Sequence, residues 1–158
     1  MSKVKTQCPV CGFTARTDAP PPACPQCGAD LVHPGIEVVL KKIHCGFATT
    51  KMNGTAGWLY LTNYRLFWIK AAGSGMGGAL GGLAGALIEN AVNAGKSGAM
   101  AFCLPLADIH SLTDDKAGLM KALLLTSRTY GTIGKLALSK RDEWRDAVGQ
   151  AIMQYANQ

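Results

Sequence analysis

Two CPxCG units, Cys8-Pro9-Val10-Cys11-Gly12 and Cys24-Pro25-Gln26-Cys27-Gly28, constrain this chain more than any other feature. A CxxC turn sets two thiols about a metal's width apart on one knuckle. The small glycine after it lets backbone amides turn toward the sulfurs and stabilise their charge. Two such knuckles supply four soft ligands in a tetrahedron, so Cys8, Cys11, Cys24 and Cys27 are the expected ligands and Zn²⁺ the expected metal. A redox dithiol or iron is the alternative for the same residues. Four thiolates leave no open coordination position, which points to a structural metal whose binding energy is folding energy. The twelve residues between Cys11 and Cys24 include Pro20-Pro21-Pro22 and are expected to close as a short hairpin. His33 is the nearest other ligand type. With the quartet complete, it reads as a surface residue in the exit turn His33-Pro34-Gly35.

Residues 1–35 are polar, proline-rich and too short for a hydrophobic core, which makes the metal their organising element. Six cysteines would suit a disulfide framework in a secreted chain. Four of them sit at knuckle spacing, so a reducing, cytoplasmic setting is expected. Lys3 and Lys5 are followed by a cysteine pair and polar residues instead of an apolar run, and no secretory signal is expected there. Cys45 and Cys103 lack knuckle partners and read as small buried core residues.

The rest of the chain carries strand signals. Hydrophobic residues make up 48% of the sequence, enough for a packed core. Ile36, Val38, Val39 and Leu40 open the segment, and Asn53-Gly54 marks a turn. Gly57–Thr62 and Arg65–Ile69 read as a hairpin turning at Asn63-Tyr64. Leu59 and Leu61 alternate with Trp58, Tyr60 and Thr62; Leu66 and Trp68 alternate with Arg65, Phe67 and Ile69. The Phe67–Ile69 face is too apolar to stand in water, so the insert, the ribbon or another subunit must cover it. Phe102–Leu106 is a strand whose Pro105 implies an edge or bulge. Ile109–Thr113 follows, with Asp114-Asp115-Lys116 as its turn. Ala122–Thr126 and Lys135–Leu138 are two more strands, separated by a loop around Gly131 and Gly134. A terminal helix is expected with Ser139 as N-cap and Asp142 three residues on. Its apolar stripe is Trp144, Ala147, Val148, Ala151, Ile152 and Tyr155.

At Gly57-Trp58-Leu59-Tyr60-Leu61-Thr62-Asn63-Tyr64-Arg65-Leu66-Phe67-Trp68 the sequence resembles the GRAM and bacterial PH-like family. Its recurring strand pair is G-x-L-x-L-T-x-x-R-L. Phe102-Cys103-Leu104-Pro105-Leu106-Ala107-Asp108-Ile109 resembles that family's "I-P-L-x-D-I" strand, and the helix bearing Trp144 is similar to the one that closes a PH barrel. Residues 1–35 resemble a zinc ribbon. The resemblance implies a mostly β fold with one helix: a ribbon over 1–35, then a PH-like β-barrel over 36–158 closed by a C-terminal amphipathic helix. Residues 71–100 interrupt it as a Gly-rich helical insert.

Nine of the nineteen glycines fall in that insert. Gly77, Gly81 and Gly85 recur every four residues, and Leu80, Leu83 and Leu87 form a second strip. As a helix over 76–94 this is a glycine zipper, stable only when packed tightly, since glycine costs roughly 1 kcal/mol per residue against alanine. A flexible loop and membrane insertion are the alternatives. The expected outcome is a homo-oligomer with the insert, Phe67 and Ile69 at the interface.

Net charge is +6, of which residues 36–70 hold +4. Lys41, Lys42, Lys51, Arg65 and Lys70 are the candidate anion-binding residues, suited to an anionic lipid surface yet too sparse for a dedicated nucleic-acid binder. No nucleophile–base pair or paired-carboxylate constellation stands out. His44 and His110 are isolated and read as barrel residues, and Gly73-x-Gly75-x-x-Gly78 lacks the βαβ setting of a dinucleotide site. A non-enzymatic binding or scaffold module is therefore expected, contacting itself, another protein or the inner face of a membrane. The second reading is nucleic-acid binding through the ribbon. Residues 1–35 carry only +1 and a single aromatic, Phe13, so nucleic acid is not the expected partner.

Overall fold

The computed structural model describes residues 2–49, 54–71 and 100–158. Lys51 and the insert residues Gly77, Leu80, Gly81, Leu83, Gly85 and Leu87 lie outside these. Nine strands and one long helix are described: β1 (Val4–Gln7), β2 (Thr14–Thr17), β3 (Val39–Ala48), β4 (Gly54–Thr62), β5 (Arg65–Lys70), β6 (Met100–Pro105), β7 (Ile109–Ala117), β8 (Met120–Ser127), β9 (Gly131–Ala137) and α1 (Arg141–Ala156). Leu106–Asp108 form a single 3-10 turn between β6 and β7.

β1 and β2 pair antiparallel around the first cysteine knuckle. The hairpin expected within the twelve-residue spacer thus forms one step earlier in the chain, with only β2 drawn from the spacer. The other seven strands make one antiparallel sheet in the order β6-β5-β4-β3-β9-β8-β7. The molecule is mostly β with one C-terminal helix, as expected; among the described residues no pairing joins the outer strands β6 and β7 into a closed barrel. Pro105 sits at the end of an outer strand, where its missing N–H costs no ladder bond.

Period-two alternation decides the faces. On β4 and β5, Leu59 opposes Trp68 and Leu61 opposes Leu66, and all four enter the main core. Their neighbours Tyr60 and Phe67 oppose one another on the other face and stack with ring centroids 4.9 Å apart. Gly57 is needed where the indole of Trp68 lies across β4, because a Cβ there would overlap that ring. The main core also takes Phe47, Phe102, Leu104, Leu106, Leu123, Leu125 and Leu136. The helix seals it with Trp144, Val148 and Ala151, all buried, flanked by Ala147, Ile152 and Tyr155. No helix among the described residues is long and apolar enough to cross a membrane.

Three local expectations are corrected. Asp114 and Asp115 are not a turn: β7 runs on to Ala117, and the reversal comes at Gly118-Leu119, with Gly118 at φ +63°. Their charges are matched by neighbours, Asp114 by Arg141 and Arg145 of α1 and Asp115 by Lys135 of β9. Gly131 and Gly134 belong to β9 and not to a loop. The helix starts without a side-chain cap: it follows Lys140 in the left-handed region, and Ser139 does not cap it. Ion pairs from Arg141 to Asp114 and from Glu143 to Lys41 tie its first turn to the sheet instead.

Candidate metal centre

Each knuckle is built the same way. Gly12 and Gly28 adopt φ of +77° and +73°, a conformation a side chain would strain. That turn aims the next amide at sulfur: Phe13 N–H donates to Cys11 and Ala29 N–H to Cys27, while the amides of Val10 and Cys11 donate to Cys8. Backbone bonds close both turns, from Gly12 N–H to the Cys8 carbonyl at 3.0 Å and from Gly28 N–H to the Cys24 carbonyl at 2.8 Å.

The four sulfurs converge, all within 4.8 Å of one another. Cys8 Sγ and Cys27 Sγ are 3.6 Å apart, and Cys11 Sγ and Cys24 Sγ 3.7 Å. A tetrahedron with metal–sulfur bonds of about 2.3 Å has edges of about 3.8 Å, so the quartet has the dimensions a tetrathiolate ion requires. Cys8, Cys24 and Cys27 are buried and Cys11 is half-buried. Hydrogen bonding from Cys11, then from the Ala29 amide, Cys8 and Cys24, outweighs burial and draws the Cys27 thiol down to about 5. The same contact with Cys27, with burial, pushes Cys11 up, and burial raises Cys8. His33 stays outside: it is exposed, with Nδ1 2.9 Å from Asp30 Oδ2.

Sequence reasoning missed what holds this centre in place. Tyr60 Oη donates to the Cys11 carbonyl at 3.3 Å, and Arg65 Nη1 donates to the Cys27 carbonyl at 2.6 Å. One side chain of the sheet therefore grips each knuckle. Arg65 is itself fixed by Glu37, with Nε to Oε1 at 2.6 Å and Nη2 to Oε2 at 3.0 Å, both side chains about 15% exposed. Burial disfavours the guanidinium charge, and Glu37 with Cys103 outweighs that and holds its pKa up. Thr62 accepts from the amides of Tyr64 and Arg65 and donates to Glu37 at 2.9 Å. Asn63 binds the linker through Val38 N–H and the Ile36 carbonyl. The signal was the spacing Thr62-x-x-Arg65 together with the one acid of residues 36–70, Glu37, which lies 25 residues before Thr62.

Several candidates fall elsewhere. Arg65, expected to meet an external anion, is consumed by Glu37 and the ribbon. Phe67 and Ile69, expected at a subunit interface, are buried at 0% and 3% within the chain, because the ribbon covers them. Lys41 is 3.4 Å from Glu143, and Lys70 is half-buried at the end of β5. Lys42 is exposed, its Nζ 4.4 Å from the Trp58 ring centroid. Cys45 is buried as expected, but Cys103 is exposed and accepts from Arg65 Nη1 at 3.4 Å. His44 and His110 are both exposed. The motif residue Asp108 pins the β8–β9 corner, accepting from Ser127 Oγ at 2.6 Å and from Thr129 N–H at 3.0 Å.

Comparison with known proteins agrees with the ribbon and is reticent about the rest. Residues 7–31 match the family described as "Rubrerythrin, rubredoxin-like domain", and these contain all four cysteines. No curated protein matches the sequence. A crystal structure of the C-terminal domain of an unknown protein from Leishmania infantum is similar in fold, with a TM-score of 0.50 and 14% identity over 74% of this chain and 85% of that one. The chain therefore carries a rubredoxin-like metal-binding ribbon of four cysteines on a seven-stranded sheet.

Proposed function

We propose that this chain is a non-enzymatic binding module, in which a structural zinc ribbon is fixed to a PH-like domain that engages a protein or the anionic surface of a membrane. Zinc is favoured over iron because two CxxC knuckles bringing four cysteine sulfurs together are the spacing typical of a structural zinc site. Iron would fit the same sulfurs, and a tetrathiolate ferric centre is coloured where zinc is not. Elemental analysis of protein purified without added metal is expected to give about one zinc per chain; stoichiometric iron would overturn the assignment.

The observation that carries the binding role is an exposed amphipathic patch on the outer face of β3 and β4. Leu40, Lys42 and His44 alternate along β3, and Trp58 of β4 lies opposite His44. Trp58 is 38% and Leu40 48% exposed, large apolar groups left in water beside a cation. Lys42 lies over the Trp58 and Tyr60 rings, and His44 meets Trp58 edge-on at 5.0 Å. An aromatic with a lysine beside it suits the headgroup level of a bilayer or an acidic, amphipathic protein segment. The order of strands and the buried Trp144 helix support the PH-like reading, and fold alone leaves the ligand open.

Co-sedimentation with vesicles containing an anionic phospholipid tests this, using the parent chain, Trp58→Ala and Lys42→Glu. Binding that falls with either change and with added salt supports the membrane partner. A host protein retained by the parent and lost by both variants supports the protein partner. Salt-dependent binding to DNA or RNA with a slope of several phosphates would favour nucleic-acid recognition by the ribbon instead. Self-association through the insert is part of the proposal and rests on the sequence; a monomer mass by light scattering would remove it.

A further inference from the structure

The ribbon has no apolar core of its own. Its buried residues are Cys8, Val10, Cys24, Cys27 and Ala29, and all of them join one cluster with Tyr60, Phe67 and Ile69 of the sheet. Three of those five are metal ligands. The sheet is built differently: its main core draws on residues from Ile43 onward and takes nothing from the ribbon. Ribbon order thus depends on the metal, and sheet order does not. The two polar grips between them both end on ligand residues, Tyr60 Oη on the Cys11 carbonyl and Arg65 Nη1 on the Cys27 carbonyl. Those carbonyls hold their positions only while the knuckles are folded.

We propose that the metal centre is a latch, holding the ribbon over the Tyr60–Phe67–Ile69 face while metal is bound and uncovering that face when metal is lost. The reasoning holds for zinc and iron alike. Losing the ion removes the bonds that tie the four sulfurs, all within 4.8 Å of one another, into one centre. A short segment without a hydrophobic core does not keep its fold once those bonds are gone. Val10, Leu31 and Phe13, which now pack on the cluster, then leave it with the ligands. What remains on the sheet is a contiguous patch of two aromatics and an isoleucine, of the kind that soluble proteins keep for recognition. The face the sequence marks as too apolar for water is thereby a conditional surface, closed by an ion.

The test uses the full chain. A high-affinity chelator removes the metal, its release is followed by elemental analysis, and two readouts are taken: fluorescence of a hydrophobic dye and amide hydrogen exchange. The expected result is a several-fold rise in dye fluorescence and lost protection within residues 7–31. Protection in β7–β9 and α1 is retained, and adding metal back reverses both changes. Ile69→Thr in the same chain is expected to lower the dye signal of the metal-free form while leaving its exchange pattern unchanged. Retained protection of 7–31 after complete metal removal would overturn the proposal. So would loss of protection throughout the sheet, which would make the ribbon part of one cooperative fold. A dye signal insensitive to Ile69→Thr would place the uncovered surface elsewhere and overturn it as well.

Discussion

The ribbon and the sheet domain reach order by different routes, although they pack against one another. In the sheet domain, large side chains carry the fold: Trp68, Trp144 and seven leucines are nearly inaccessible. In the ribbon the largest fully buried side chain is Cys27. The difference shows why a proline-rich segment of about thirty residues survives beside a conventional core. It substitutes metal–sulfur bonds for buried area, and borrows the outer face of the sheet for the remainder.

That contrast breaks most directly at the ligands. Structural tetrathiolate zinc contributes on the order of 10–16 kcal/mol of apparent binding energy to peptides of this kind. Cys24→Ser together with Cys27→Ser is therefore expected to abolish stoichiometric metal and melt the ribbon. The thermal transition of the sheet, followed by the helical signal of α1, should survive. A sheet that fails to fold in this variant would erase the distinction between the two regions. The converse change is Trp144→Ala, which leaves a cavity between α1 and the sheet and is expected to cost about 3–5 kcal/mol. Denaturant unfolding should register the loss while metal content stays at one per chain.

Arg65 belongs to both regions, so its removal sharpens the comparison. Breaking a nearly buried ion pair from one side costs about 3–5 kcal/mol, and Arg65→Leu leaves Glu37 without its bidentate partner. The Cys27 carbonyl loses its donor as well. Both transitions are expected to move: the sheet becomes less stable, and the metal is released faster to a competing chelator. A change confined to the sheet would mean that the grip on Cys27 contributes nothing to the centre.

Much of this arrangement was legible before any coordinates. CPxCG spacing fixes ligand identity because four thiolates have one common geometry, and alternation along Leu59–Leu61 and Leu66–Trp68 fixes which face is inward. It also flagged Phe67 and Ile69 as needing a cover, while leaving three candidates for it. Choosing the ribbon required knowing that Arg65 reaches the Cys27 carbonyl, a contact 38 residues apart in sequence. Local pattern carries no information about such a pairing. Charged residues misled for a related reason. Asp114-Asp115-Lys116 has turn composition, yet Arg141, Arg145 and Lys135 neutralise the two aspartates within the fold and let the strand continue. Lys140 shows the same limit at the helix start, where tertiary ion pairs replace the expected Ser139 cap.

The smallest expected effect lies at Asp108, in the sheet domain and away from the metal. Side-chain hydrogen bonds from Ser127 and Thr129, then the Thr129 amide, hold its carboxyl below the usual range. A pKa lower in the folded chain than in the unfolded one means that the folded state favours the ionised form. The stabilisation is therefore present above about pH 4, where the unfolded carboxyl ionises, and is lost as pH falls toward the folded value. Asp108→Asn keeps the shape of the corner but replaces one acceptor oxygen with an amide. It should be modestly less stable than the parent at neutral pH, and the gap should narrow steadily below about pH 4. Asp30 and Asp115 are also lowered and contribute acid sensitivity of their own. Acid also protonates the thiolates and releases metal from the ribbon. The informative quantity is therefore the difference between parent and variant in the unfolding of α1, measured across pH on metal-free protein. A difference independent of pH would show that Asp108 acts through packing of the β8–β9 corner and not through its charge.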